Sequence, residues 1–210
     1  MTEKVIHPAR GKTWYGPTQT IDTNNYEATH LEGHTVEFPH TDPSNQTVRL
    51  DSRPVIMRLM RNVSGVTLYA GMMVVSESGY EQKRFDGLAR TTACEIAGVI
   101  DDHLGSGGVR NGDLCWVHVQ GPAKVYTAYT ASTLGDVSVG SLLYAITVAT
   151  SNVTTNDAGR FQPWVGTFTA TQTTDGTGAA ILLNHFGKAL SACTSANTNT
   201  LKLVDMRLPI

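Results

Sequence analysis

Short apolar segments separated by glycine- and asparagine-bearing turns are the feature of this sequence that most restricts its fold. The clearest segment covers residues 114–125 and is interrupted only at Gly121-Pro122. It follows Asn111-Gly112-Asp113, which is typical of a hairpin turn. Similar segments occur at 55–61, 68–75, 96–100, 137–145, 163–170 and 179–184. Strands of this length and spacing predict a mainly β chain, an antiparallel β-barrel or β-sandwich, without the strand–helix alternation of a parallel sheet.

The composition supports this prediction. The chain has 28 threonines among 210 residues, and only 16% of its residues are charged, against roughly 25% in a typical soluble domain. Threonine is β-branched, so it fits a pleated surface better than a helix. A chain of this length can bury one good-sized core without disulfides or metals.

Three regions are predicted from the patterning. Residues 1–50 form an extended N-terminal arm, 51–190 a β-barrel or β-sandwich domain, and 191–210 a C-terminal tail or edge strand. Neither a helical nor a strand period persists in the first region, which has many prolines and polar turns. It is either a disordered leader or an arm that becomes ordered on a partner, with Trp14 and Tyr15 as its anchors.

Several classes of partner are disfavoured by charge and hydropathy. The net charge of −2 and the pI near 6.4 lack the basic footprint of a nucleic-acid-binding protein. No apolar run approaches the roughly 20 residues that span a bilayer, and the first residues lack the apolar core of a signal peptide. Cys94, Cys115 and Cys193 are odd in number and widely spaced, as expected of reduced thiols in a protein made in the cytoplasm.

One acidic and histidine cluster could carry chemistry. Asp101-Asp102-His103 follows a predicted strand, with Asp113 and His118 further along. These residue types are common in solvated turns, which is the favoured interpretation. The alternative is a metal-dependent hydrolase that uses Asp101, His103 and His118.

Other catalytic motifs are absent from the sequence. His30 and His34 are four residues apart and His40 follows, but the intervening Gly33 and the later Pro39 argue against a zinc-binding helix. There is no G-x-S-x-G motif and no phosphate-binding glycine loop. We therefore predict no catalytic residues, no cofactor and no metal, and a protein that is not an enzyme.

Four arginines crowd one segment whose only acid is Asp51. They are either part of a solvated strand face or a docking stripe for an acidic protein surface, since guanidinium groups bind carboxylates in a bidentate manner. The predicted contact residues for a partner are therefore Trp14, Tyr15, Arg49, Arg53, Arg58 and Arg61.

The order of the predicted strand and turn segments resembles that of the head-decoration, or cement, proteins of tailed bacteriophages. In that family short strands alternate with x-G-D-x-L or V-G-x-x-L turns, and the match covers about half of this chain. The segments are LYAGMMV (68–74), IAGVIDD (96–102), GDLCWV (112–117), GPAKV (121–125), VGSLLYA (139–145), VGTF (165–168) and AILL (180–183). The N-terminal segment and the last twenty residues exceed the family's minimal barrel.

The resemblance implies a structural virion protein that binds the outside of the assembled capsid and stabilises it. Its implied partners are the major capsid protein and further copies of itself, as a homotrimer or a dimer. One alternative is another virion β-domain of the tail, adaptor or fibre. A second alternative is a carbohydrate-binding β-sandwich that uses Trp14, Trp116 or Trp164 as its stacking platform.

Overall fold

The computed structural model describes residues 10–13, 31–88, 95–126, 139–140, 142–145, 161–163, 185–192 and 201–208. These residues contain strands and no helix, so the prediction of a mainly β chain is confirmed. Within them no helix is long and apolar enough to cross a membrane. The strands are β1 (Thr35–Asp42), β2 (Asn45–Asn62), β3 (Met73–Ser76), β4 (Arg84–Leu88), β5 (Ile96–Ile100), β6 (Leu114–Tyr126), β7 (Leu142–Ala145), β8 (Phe161–Pro163), β9 (His185–Ala189) and β10 (Leu201–Arg207).

Five of the strands pair in a closed ring. β2 pairs with β4, β4 with β3, β3 with β5, β5 with β6, and β6 returns to β2. The β2–β4 pair is parallel and the others are antiparallel. Closure leaves no strand edge within the ring, which matches the barrel form of the prediction.

The ring is apolar on both faces because its central strands are covered from both sides. On β2, Leu59 packs with Trp116 and Leu114 in one cluster, whereas the next residue, Met60, packs with Phe85 in another. Successive side chains of a strand point to opposite faces. The ring portion of β2 therefore has apolar neighbours on each side, as its largely apolar sequence over 55–60, interrupted only by Arg58, indicates.

The remaining strands extend the sheet from β6 in the order β10, β9, β7, β8. The register of β10 on β6 runs from Leu201 opposite Tyr126 to Arg207 opposite Gln120. β10 also pairs with β9, and Val204 is buried. Within the predicted C-terminal tail or edge strand, residues 201–207 are thus an inner strand of the sheet.

Residues 39–54, which we call the ribbon, project from the ring as a two-stranded hairpin. This part of β2 pairs only with β1 among the described residues, and the register jumps between Pro39 and Thr41 and again between Thr41 and Asp42. Most of its β2 side chains are exposed. The sequence prediction placed residues 1–50 in an extended arm, but the last part of that range contains β1 and the start of β2. Bulges interrupt the alternation of the side chains, which explains why no strand period was visible there.

The ribbon leaves the ring where β6 bends close to β2. Gly121 has a φ of +89°, and a Cβ added there would lie 2.3 Å from the carbonyl oxygen of Pro54. Only glycine allows this left-handed backbone and this close approach without strain. The pairing of β2 with β6 ends next to it, at Ile56 opposite Gln120.

Candidate functional site

A buried ionic cluster lies where β5 ends beside the middle of β6. Asp101 and Asp102 directly follow β5, and the backbone N–H of Asp101 donates to the carbonyl of Trp116 over 3.0 Å. His118 on β6 lies opposite Val99 of β5. Because β5 ends at the carboxylates, the strand pairing itself places both of them near the imidazole of His118.

The charge of these carboxylates is balanced by Arg10, which lies 91 residues away in the sequence. Its Nη2 is 3.1 Å from Oδ1 of Asp101 and 2.8 Å from Oδ1 of Asp102. The side chains of Arg10, Asp101 and Asp102 are 6%, 2% and 4% exposed. The backbone N–H of Gly11 also donates to Oδ2 of Asp101 over 2.6 Å. An N-terminal segment is thereby attached to the ring by buried, charge-assisted hydrogen bonds.

His103 completes the cluster on its other side. Its Nδ1 lies 2.8 Å from Oδ1 of Asp102, and its Nε2 lies 3.1 Å from the hydroxyl of Thr41 on β1. The second oxygen of Asp102 accepts the backbone N–H of Lys124 over 3.1 Å. The cluster thus connects the N-terminal segment with β1, β5 and β6.

The electrostatics of the cluster favour its charged form. Burial would raise the pKa of both carboxyl groups, but the two histidines and Arg10 outweigh it and hold the pKa of Asp101 and Asp102 well below the usual 3.8. Burial would lower the pKa of His103 and His118, but the two carboxylates outweigh it and raise both values above the usual 6.5.

These shifts predict how stability depends on pH. The raised histidine pKa values stabilise the fold fully below pH 6.5 and less as the pH rises through the folded-state values. The lowered aspartate values stabilise it above pH 3.8 and less as the pH falls through the folded-state values. The free energy of unfolding in urea should therefore decline as the pH rises above about 6.5.

A variant pair tests the source of that decline. His118→Gln should make the alkaline decline shallower and leave the part due to His103, whereas His34→Gln, at an exposed position outside the cluster, should leave the whole decline in place. A wild-type stability that is constant or increases above pH 6.5 would contradict the assignment.

Asp101, Asp102 and His118 also have the composition of a metal site. One ligand atom from each lies within 4.8 Å of the other two. Nη2 of Arg10 already lies among them, 3.4 Å from Nε2 of His118. The Nδ1 of His118 is buried with no hydrogen-bond partner, although a histidine that binds metal usually donates through its other nitrogen. The geometry therefore fits an arginine better than a metal ion, and the prediction of no metal stays a prediction.

Most residues of this cluster are identifiable from the sequence, but their predicted environment, a solvated turn, is wrong. Residues 102–103 form a turn as predicted, but the expectation of solvated side chains is wrong, since those of Asp101 and Asp102 are 2% and 4% exposed and that of His103 is fully buried. Asp113, named with them, accepts from the backbone N–H of Arg110 at 3.3 Å and is not part of the cluster. The sequence offered no signal for Arg10, whose neighbours lack any recognisable motif.

The other histidines do not form a metal site among the described residues. His34 is exposed and precedes β1, whereas His40 lies within β1 with its Nδ1 3.1 Å from Oδ1 of Asp51. His30 lies outside the described residues.

The four arginines of the predicted docking stripe do not share one surface. Arg49 and Arg53 lie exposed on the ribbon, and Arg53 pairs with Asp51 at 2.6 Å. Arg58 is 4% exposed, and Arg61 is bound inside the molecule by the buried carboxylate of Glu32. The docking prediction therefore stays open for the first two arginines, whereas the other two have internal positions.

Glu32 was not identified from the sequence. Its side chain is 3% exposed and is shared by Arg61 and by Nε of Arg84, the latter at 2.9 Å. It fixes the chain just before β1 to β2 and β4, which is a structural role.

The tryptophans were predicted either to contact a partner or to stack on a carbohydrate. Trp116 is fully buried and meets Phe38 edge to face, with ring centroids 5.1 Å apart, so it offers no stacking platform for a sugar. Trp14, Tyr15 and Trp164 lie outside the described residues.

Cys115 is buried, which raises the pKa of its thiol, and Cys94 and Cys193 lie outside the described residues.

No family model matches the chain, and no curated protein matches it. Among solved structures, the chain is similar to the N base of the head fibre gp8.5 of bacteriophage phi29, with 16% sequence identity and a TM-score of 0.34. That match covers 74% of this chain and 99% of the other.

Proposed function

We propose that this chain is a structural protein of a tailed-phage virion that binds the outside of the assembled capsid and stabilises it. The proposal starts from the order of strand and turn segments that resembles capsid-decoration proteins. The structural observation that supports it further is the ribbon, a hairpin that projects from the closed ring and exposes apolar side chains. The proposed partners are the major capsid protein and further copies of this chain, as a homotrimer.

The ribbon has the composition of a protein-binding surface. Val48 and Leu50 are 46% and 45% exposed on one face of this strand, and exposed Arg49 and Arg53 lie on its other face. Protein interfaces combine a desolvated apolar centre with arginines that bind carboxylates at the rim. The ribbon thus offers a capsid subunit one apolar face and one face that carries two arginines.

The base of the ribbon adds a cleft to this surface. A cavity of about 440 Å³ lies between the ribbon and the end of β10 and is lined by Arg53, Pro54, Pro122 and Arg207 among others. The prolines provide apolar walls and the arginines provide donors for a partner's carboxylates. This cleft and the ribbon together form one continuous candidate contact region.

The ionic cluster supports a structural role in preference to catalysis. Its carboxylates are at most 4% exposed and are bound by Arg10, so neither has an open position for substrate. A general acid or base must come within hydrogen-bond reach of the reacting group. On the proposed function the cluster holds the protein together and is not an active site.

Substitution on the ribbon should separate binding from folding. The double variant Val48→Asp, Leu50→Asp should weaken binding to purified capsids that lack this protein by at least about tenfold, since it places charge in the desolvated centre of the contact. The melting temperature should change little because both side chains are already exposed in the free protein. Binding is measured by co-sedimentation with the capsids.

Val66→Asp is the matched control, because Val66 is also an exposed valine, at 57%, but lies outside the ribbon. It should bind as wild type. Equal binding by the ribbon variant and the wild type would exclude the ribbon as the contact surface.

Copy number distinguishes decoration from the fibre or tail alternative. Quantitative mass spectrometry of purified particles should find this chain in numbers comparable to the major shell protein. A handful of copies per particle would favour a fibre, neck or tail position, and absence from the particle would contradict the proposed function.

A further inference from the structure

The ionic cluster is shaped to bind an arginine-glycine dipeptide. The guanidinium of Arg10 is held between two buried carboxylates, and the next N–H, that of Gly11, donates to Asp101. A Cβ on Gly11 would lie 2.5 Å from the carbonyl oxygen of His103, and its φ is +73°. Arginine is therefore selected by charge and geometry, and glycine by steric exclusion.

This binding site, which we call the Arg-Gly receptor, is formed entirely by residues that follow the N-terminal segment. Its side chains come from Thr41, Asp101, Asp102, His103 and His118, and the backbone of Lys124 orients Asp102. The receptor and the segment that it binds are thus separate parts of the chain.

The connection between them is long enough to reach the receptor of its own chain or that of a neighbouring copy. Seventeen residues, 14–30, lie between Thr13 and Leu31, and a chain of that length can extend to nearly 60 Å at about 3.4 Å per residue. The receptor lies beside Met57 of β2, because Met57 pairs with His118. After the connection, the chain contacts the ring again at Glu32, which binds Arg61 of β2. These positions on β2 are four residues apart, or about 13 Å along the strand.

We propose that the Arg-Gly receptor also binds the Arg10–Gly11 segment of a second copy of this chain. The N-terminal segment of one copy would then be bound to the ring of another. The contacts within one copy and between two copies are the same, so local concentration decides between them. The exchange is a property of the chain itself and does not require the proposed capsid role. Wherever copies are held side by side, it would convert a set of separate molecules into a linked one.

Paired lysine variants test the exchange in the full-length chain. One copy carries Lys124→Arg and keeps Lys12, and a second, co-expressed copy carries Lys12→Arg and keeps Lys124. Both lysines lie next to the cluster, at Gly11 and Asp102. An amine-reactive cross-linker can then join Lys12 to Lys124 only between copies.

We expect an inter-copy product containing the Lys12–Lys124 linkage, identified by mass spectrometry, whose yield increases with protein concentration. Adding Arg10→Ala to the copy that keeps Lys12 should reduce that product at least tenfold. A linkage found in wild-type chains but absent from the paired variants would overturn the exchange. Absence from both would contradict the docked segment on which the proposal depends.

A peptide probe provides a second readout. A labelled peptide covering residues 7–13 should bind full-length Arg10→Ala protein and should bind wild type at least tenfold more weakly, because the wild-type receptor is already filled. The same peptide with Gly11→Ala should not bind. Equal binding of the two peptides would contradict the receptor. Failure of capsid binding with retained exchange would reject the proposed function alone.

Discussion

Replacing Arg10 by alanine should lower the free energy of unfolding by about 3 kcal/mol, because two carboxylates would be left buried without their countercharge. Asp101 and Asp102 are 2% and 4% exposed, so water does not readily replace the lost guanidinium. The loss is measured by urea unfolding at neutral pH, with the fluorescence of buried Trp116 among the reporters.

Two comparisons identify the cause of that loss. Lys12→Ala removes an exposed cation two positions away and should change stability by no more than about 0.5 kcal/mol. In the triple variant Arg10→Ala, Asp101→Asn, Asp102→Asn the uncompensated charges are gone, so part of the lost stability should return. A loss from Lys12→Ala equal to that from Arg10→Ala, or no recovery in the triple variant, would show that the ion pairs are not the cause.

Gly121→Ala should be the second severe substitution, with a loss of about 3 kcal/mol or more. A left-handed backbone costs an alanine roughly 1–2 kcal/mol, and the new Cβ would also lie 2.3 Å from the carbonyl oxygen of Pro54. Relief of that contact requires β2 and β6 to separate where the ribbon begins. Thermal and urea unfolding measure the loss.

Gly79→Ala is the matched control, because Gly79 has a similar φ of +83° but no atom within 4 Å of an added Cβ. It should cost only the backbone term, about 1–2 kcal/mol. If the two variants are equally destabilised, the close approach of β6 to Pro54 contributes nothing to the fold.

The strands that could be predicted are those with continuous apolar sequence and a recognisable turn. Residues 114–125 were predicted as a strand after an Asn-Gly turn, and β6 spans Leu114–Tyr126. The stretch over residues 81–86 is charged and is not among the predicted strands. It forms a turn and the start of β4, where only Phe85 is fully buried. The strand there depends on pairing with β2 and β3, which a local pattern cannot show.

The ribbon and the ionic cluster could not be predicted, for two different physical reasons. Residues 48–53 of the ribbon alternate in the sequence, but the hairpin could not be predicted because the register of β1 shifts at two bulges before its turn. The cluster depends on a contact between Arg10 and Asp101 across 91 residues. Without that partner an Asp-Asp-His sequence has the same pattern as a solvated turn. The sequence therefore reveals the titratable residue types of the cluster but not their burial.

β2 belongs to both the ribbon and the ring, as one continuous strand of 18 residues. A pull on the ribbon is therefore transmitted through covalent backbone into the part of β2 that pairs with β6. Antiparallel hydrogen bonds lie perpendicular to the strand axis, so such a force loads the β2–β6 bonds together in shear and does not open them one at a time. β2 should therefore resist tension along its axis. Its ring end is held by the buried side chains of Met57, Leu59 and Met60.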